Sequence, residues 1–165
     1  MDISSIAVGG GPIPSFIVLE QHDLPEGEKK SRRLPIRIGT VEASAISLGI
    51  EPKEGSRPMT HDLLKATVEA LGAELMSVRI TGVRGTTFYA QLVLRDAEGR
   101  EVCVDARPSD AIALAVRCGV RILADDSVID AATLPDFDGV EKAEKQAELE
   151  EFHNFVEHLS PDDFK

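Results

Sequence analysis

The sequence predicts an α+β fold: a mixed, mostly antiparallel sheet packed with helices over residues 1–132, followed by an acidic C-terminal helical tail over 139–165. Three observations carry this expectation. β-Branched runs follow one another within the first forty residues and again between about 74 and 105, as hairpins do. Stretches with helical spacing separate and follow them. The runs RPMTHD (57–62) and DARPSD (105–110) each set an Arg-Pro pair before a helix, with a hydroxyl at the N-cap and an acid behind it.

Ile3 to Val8 and Phe16 to Leu19 read as strands, broken by Gly9-Gly10-Gly11-Pro12. That glycine run reads as a turn and not a phosphate loop, since no helix with a lysine follows. Leu34 to Ile38 is a third strand, and Pro35 marks it as an edge or a strand start. Thr40 is placed to cap a helix from Glu42 to about Leu48. A helix from Thr60 stops at Gly72, with Leu64, Val68 and Leu71 as its expected buried stripe. Strands follow at about 74–81, 86–95 and 100–105, with Tyr89 expected in the core. The helix after Ser109 is apolar all round and should be central. Gly119 ends it before a short strand at 120–123 and a short helix or turn at 125–132. A charged helix from Val140 to about Leu159 carries Phe152, Phe155, Val156 and Leu159 on one face.

The chain of 165 residues is 42% hydrophobic, enough for a real core. It has no Trp and one Tyr, which argues against base-stacking platforms. Its formal net charge is −11, and residues 139–165 hold eight acids against three lysines. Such acidity excludes tight non-specific nucleic-acid binding and leaves room for a weakly binding enzyme with a local basic patch. Lys29, Lys30, Arg32 and Arg33 form the basic cluster and read as a solvated loop. Cys103 and Cys118 read as buried free thiols of a reducing compartment. With no secretion signal in residues 1–19 and no run of membrane-spanning length, the expected location is the cytoplasm.

The runs LPIRIGTVEASAI (34–46), RPMTHDLL (57–64), GTTFYA (85–90) and DARPSDAIALA (105–115), in that order, resemble the bifunctional nuclease domain family. The ending EEFHNFVEHLSPDDF (150–164) resembles the tail of bacterial members. The resemblance implies a small α+β protein that self-associates and hydrolyses phosphodiester bonds of RNA and/or DNA; the Pro-bearing strand at 34–38 and the apolar face of the tail helix point to a dimer. One departure is Arg37, where many relatives carry an aromatic or apolar residue.

Phosphodiester hydrolysis needs an activated water, stabilised phosphoryl oxygens and help for the leaving oxygen. Glu42, Asp62, Asp105 and Asp110 are candidate bases or hard oxygen ligands for Mg²⁺ or Mn²⁺. His61 is the candidate acid/base, and Arg57 and Arg107 are candidate phosphate contacts. No spacing matches a known metal code, and no organic cofactor is expected. Each residue also has a purely structural reading. Asp62, Asp110 and Glu42 suit the first turn of a helix, Arg107 can neutralise a neighbouring acid, and His61 can bond a backbone carbonyl. The alternative function is therefore a non-catalytic regulatory or scaffold module that binds a partner or small ligand. Convergence of the acids and His61 in one open cleft would favour the enzyme.

Overall fold

The computed structural model describes residues 1–9, 14–22, 31–52 and 57–132. β1 (Asp2–Ala7), β2 (Ser15–Glu20) and β3 (Arg33–Ile38) form an antiparallel sheet in that order. Period-two alternation buries Ser15, Ile17 and Leu19 of β2, and Leu34 and Ile36 of β3. Pro35 faces Val18 on the edge strand, where its missing N–H interrupts no central ladder.

Next come α1 (Thr40–Ile50), α2 (Thr60–Ala70), β4 (Glu74–Arg84), β5 (Thr87–Arg95) and β6 (Glu101–Ala106). α3 (Pro108–Cys118), β7 (Arg121–Ala124) and α4 (Asp126–Ala132) follow. The second sheet has the order β6-β5-β4-β7, antiparallel except for the parallel β4–β7 pair, and α3 leads from β6 into β7. The mixed, mostly antiparallel arrangement is therefore divided between two sheets.

One buried cluster joins them. It takes Ile17, Leu19, Leu34 and Ile36 from the first sheet and Val78, Ile80, Ala90 and Leu92 from the second. α3 runs through its centre with Ala111 to Ala115 buried, as its all-round apolar sequence implies. The small Ala111, Ala113 and Ala115 let neighbouring elements approach closely. α1 approaches α3 closely: a Cβ on Gly49 would fall 2.5 Å from Arg117 Nη1 and 2.6 Å from Val116 Cγ2. Gly49→Ala is expected to cost about 1–3 kcal/mol by overpacking. Urea denaturation measures it, and an unchanged midpoint would mean the two helices are free to separate.

Several expectations are corrected. The stripe Leu64, Val68, Leu71 is not buried: α2 contains no buried residue, and Leu71 is 74% exposed. Its partly covered residues are His61, Asp62, Lys65 and Val68, so the covered face is mostly polar. Spacing defines an apolar stripe but not which face finds a neighbour. Thr40, Thr60 and Ser109 are not N-caps; the caps are Gly39, Met59 and Arg107, and each hydroxyl lies inside its helix. In α3 Pro108 takes N1, where its fixed φ and missing N–H suit the helix, and Ser109 moves one place inward.

Cys103 is exposed because β6 is an edge strand, and Cys118 is half-buried; both are free thiols. Tyr89 is exposed, with the Arg84 guanidinium 5.6 Å from its ring centroid. Arg32 of the basic cluster is no solvated residue: it bonds Asp126 at 2.5 Å and Asp130 at 2.9 Å, tying the approach to β3 to α4. Lys29 and Lys30 lie outside the described residues. Met1–Thr133 is one compact unit. The expected tail helix, with Phe152, Phe155, Val156 and Leu159, also lies outside the described residues.

Candidate functional site

Three helices bring four of the expected residues together. Arg107 precedes α3 in extended conformation (φ −68°, ψ 143°), so its side chain can fold back over the first turn. Its Nε donates to Asp110 Oδ2 at 2.7 Å and its Nη2 to Asp110 Oδ1 at 3.1 Å, a bidentate pair. Its Nη1 donates to Glu42 Oε1 at 3.0 Å. Glu42 sits in the first turn of α1, with its carboxylate folded back over Gly39. Any Cβ at Gly39 would collide with that carboxylate, so glycine permits this placement. From α2, His61 Nε2 lies 3.2 Å from Asp110 Oδ1. Asp110 is thus the hub, between a guanidinium and an imidazole.

The electrostatics follow from these contacts. Burial opposes ionisation of Asp110, but hydrogen bonds from Arg107 and His61 outweigh it and hold the carboxyl below its ordinary range. The Asp110 hydrogen bonds, and then those of Glu42, hold the Arg107 proton more firmly than usual. Arg107 nevertheless leaves 65% of its side chain exposed, so one edge of a paired guanidinium meets solvent.

Asp62 belongs to a neighbouring structural contact. Its Oδ1 accepts from Arg117 Nε at 2.6 Å and its Oδ2 from the Met59 N–H at 2.9 Å. The Met59 N–H first, and Arg117 second, lower its carboxyl below the ordinary value. Arg117 is 6% exposed and also donates to the carbonyls of Ala45 and Ala113 at 2.9 and 2.8 Å. With Lys65 Nζ donating to the Arg117 carbonyl at 2.8 Å, this clamp seats α2 on α3 and thereby positions His61.

Two expected residues stay apart. Alternation along β6 turns Val104 and Ala106 toward the helix-covered side and Asp105, opposite Gln91, to the other side. Asp105 is exposed on β6 and is not among the residues that bond Arg107, His61 or Asp110. Arg57 is exposed ahead of α2 and makes no hydrogen bond or ion pair among the described residues. Among those residues no three of His, Cys, Asp or Glu converge as a metal site. Glu42 and Asp110 are both engaged by Arg107, so these side chains do not fit a divalent ion as placed.

Sequence reasoning missed Arg117 and Gly39. Arg117 carried a signal, as a lone cation in an otherwise apolar helix, two turns from Asp110. Gly39 carried none, because the collision it avoids is with a side chain three residues away.

Beside the cluster lies an open groove of about 550 Å³, bounded by the end of β3, the starts of α1 and α3, and the β4–β5 turn. Its wall includes Arg37, Thr40, Glu42, Phe88, Arg107 and Ser109. An imidazole held by a carboxylate, with a guanidinium at an open groove, has the chemistry for proton transfer and an oxyanion contact.

Two uncharacterized proteins from Mycobacterium tuberculosis strains are each 44% identical over 138 residues, covering 81% of this chain and 82% of theirs. Bifunctional nuclease 1 of Arabidopsis thaliana is 31% identical over 120 residues, covering 68% of this chain and 35% of the plant protein. Bifunctional nuclease 1 of Oryza sativa subsp. japonica is 35% identical over 91 residues, covering 54% of this chain and 28% of the rice protein. The chain therefore spans about a third of the plant relatives it matches. No helix among the described residues is long and apolar enough to cross a membrane. The family profile of the bifunctional nuclease domain matches residues 24–136. The four motifs that meet at or around the groove fall inside that match, and the chain belongs to the bifunctional nuclease domain family.

Proposed function

We propose that this protein is a nuclease that hydrolyses phosphodiester bonds of RNA and DNA, with His61, Asp110, Arg107 and Glu42 as its working residues. The observation that carries the reading is the meeting of these side chains beside one open groove. Membership of the family supports it, as do the plant relatives named bifunctional nucleases.

In the proposed reaction Asp110 accepts a hydrogen bond from the Nε2–H of His61 and fixes the ring, leaving Nδ1 as the base. Nδ1 takes a proton from water as the water oxygen bonds to phosphorus. The phosphorus–oxygen bond to the leaving nucleotide breaks, and the same proton passes to the departing oxygen. Arg107 keeps Asp110 through Nε and Nη2 and exchanges Glu42 for a phosphoryl oxygen at Nη1. Asp62 acts through Arg117 as a positioning residue. Asp105 and Arg57 have no part in this step. The expected Mg²⁺ or Mn²⁺ has no three-ligand site among the described residues, so no step passes through a metal.

Hydrolysis of single-stranded RNA and DNA by rigorously purified protein, with and without EDTA, tests the proposal. The expected result is turnover of both that survives EDTA and follows the protein peak through sizing. Failure to cleave either substrate would favour the non-catalytic binding module. That reading has one observation behind it: both Glu42 and Asp110 are neutralised by Arg107 in the free protein.

The proposal includes assembly as a dimer in the cytoplasm. Met59, Leu63 and Leu71 present apolar surface around α2, and β3 is a sheet edge. The two free thiols suit a reducing compartment. Sedimentation equilibrium at tens of micromolar should give twice the chain mass, and a monomer there would remove the dimer from the proposal.

A further inference from the structure

Ser109 is 7% exposed, yet its hydroxyl makes no hydrogen bond among the described residues. The hydroxyl is not sealed from solvent, and Ser109 lines the groove, so the groove is where a partner can reach it. The same wall holds the starts of two eleven-residue helices, α1 and α3, and neither has a side-chain cap. Pro108 has no N–H, so α3 offers the Ser109 and Asp110 amides, whereas the start of α1 already carries the Glu42 carboxylate over Gly39. Uncapped helix starts attract anions. Across the groove Arg37 is exposed and makes no ion pair among the described residues. Phe88 adds a half-buried aromatic wall. The volume of about 550 Å³ suits a small organic ligand better than a bare ion.

We infer that this groove is a nucleotide subsite, in which the Ser109 hydroxyl, the amides at the start of α3 and Arg37 hold one phosphate while Phe88 borders the nucleoside. The subsite rests on the proposed nuclease reading for its ligand class, because the phosphate it would seat neighbours the scissile one. Its geometry stands apart from the His61–Asp110 pair. Ser109 does no bond-making; it positions the strand.

Titration of the full chain with adenosine monophosphate, followed by amide NMR shifts, tests the inference. Ser109→Ala removes only the hydroxyl, and Arg37→Gln changes only an exposed charge, so both should keep the wild-type melting temperature. The expected result is binding by wild type with shifts at the Ser109 and Asp110 amides. Each variant should bind about tenfold more weakly, about 1.4 kcal/mol. Adenosine without phosphate should bind more weakly still. Absence of monophosphate binding, equal affinity of both variants and wild type, or equal affinity for adenosine would each overturn the subsite. Monophosphate binding with these losses, in a protein that cleaves nothing, would sustain the subsite and remove the nuclease reading.

Discussion

Asp62→Ala is expected to destabilise the protein by about 3 kcal/mol or more, although Asp62 itself is 41% exposed. The cost comes from what it leaves behind. The Arg117 guanidinium, 6% exposed between α1, α2 and α3, would lose its charged partner. The Met59 N–H would lose its acceptor at the start of α2. No buried apolar residue of α2 is available to compensate. A melting temperature lower by roughly 10 °C is the expected readout for a domain of this size. Adding Arg117→Met should recover part of the loss, since it replaces an unpaired buried charge with an apolar chain of similar reach. A single variant as stable as wild type would mean the clamp contributes nothing.

The same contacts set the acid limit of stability. The carboxyls of Asp62 and Asp110 are held below their ordinary values in the folded protein. Their contribution is therefore complete above the unfolded-state value of about 3.9 and is lost as the pH falls through the lower folded values. Unfolding should set in below about pH 4, with little change from these two groups near neutrality.

The second large effect is on activity. Arg107→Met should lower kcat/KM for nucleic acid about 100- to 1,000-fold, the usual loss for one transition-state oxyanion donor. Its stability cost should be much smaller, because the guanidinium is 65% exposed and both partners can turn to water. Removing it also leaves Glu42 and Asp110 as uncompensated acids beside an incoming phosphate. Steady-state kinetics beside a thermal melt separates the two effects. Wild-type kinetics in this variant would show that the guanidinium serves only to pair Glu42 with Asp110.

How far the sequence revealed this site depends on the kind of information each residue carries. Local rules served for the elements: Pro35 on an edge strand, an all-apolar α3 at the centre, and Gly72 and Gly119 with positive φ just past their helices. The two Arg-Pro helix starts brought His61, Arg107 and Asp110 into view and the family motifs added Glu42; the structure joins them through one guanidinium and one imidazole. Long-range packing was not legible. Asp105 looked like part of the Asp110 group because sequence distance hides the alternation of a strand. The α2 stripe looked buried because a helical period does not say which face meets α3. Ser109 looked like a cap because Pro108 shifts the helix start by one residue, and that shift turns an ordinary capping hydroxyl into an unpaired one at the groove.

The most direct measurement is the hydrolysis rate of wild type, His61→Ala and Asp105→Asn, prepared identically and shown to melt alike. The expected result is a loss of about 100-fold or more in His61→Ala, the usual range for a lost acid/base group, with Asp105→Asn indistinguishable from wild type. His61→Ala cleaving at the wild-type rate, or activity vanishing in Asp105→Asn while His61→Ala keeps it, would contradict the assignment of the chemistry to the His61–Asp110–Arg107 cluster.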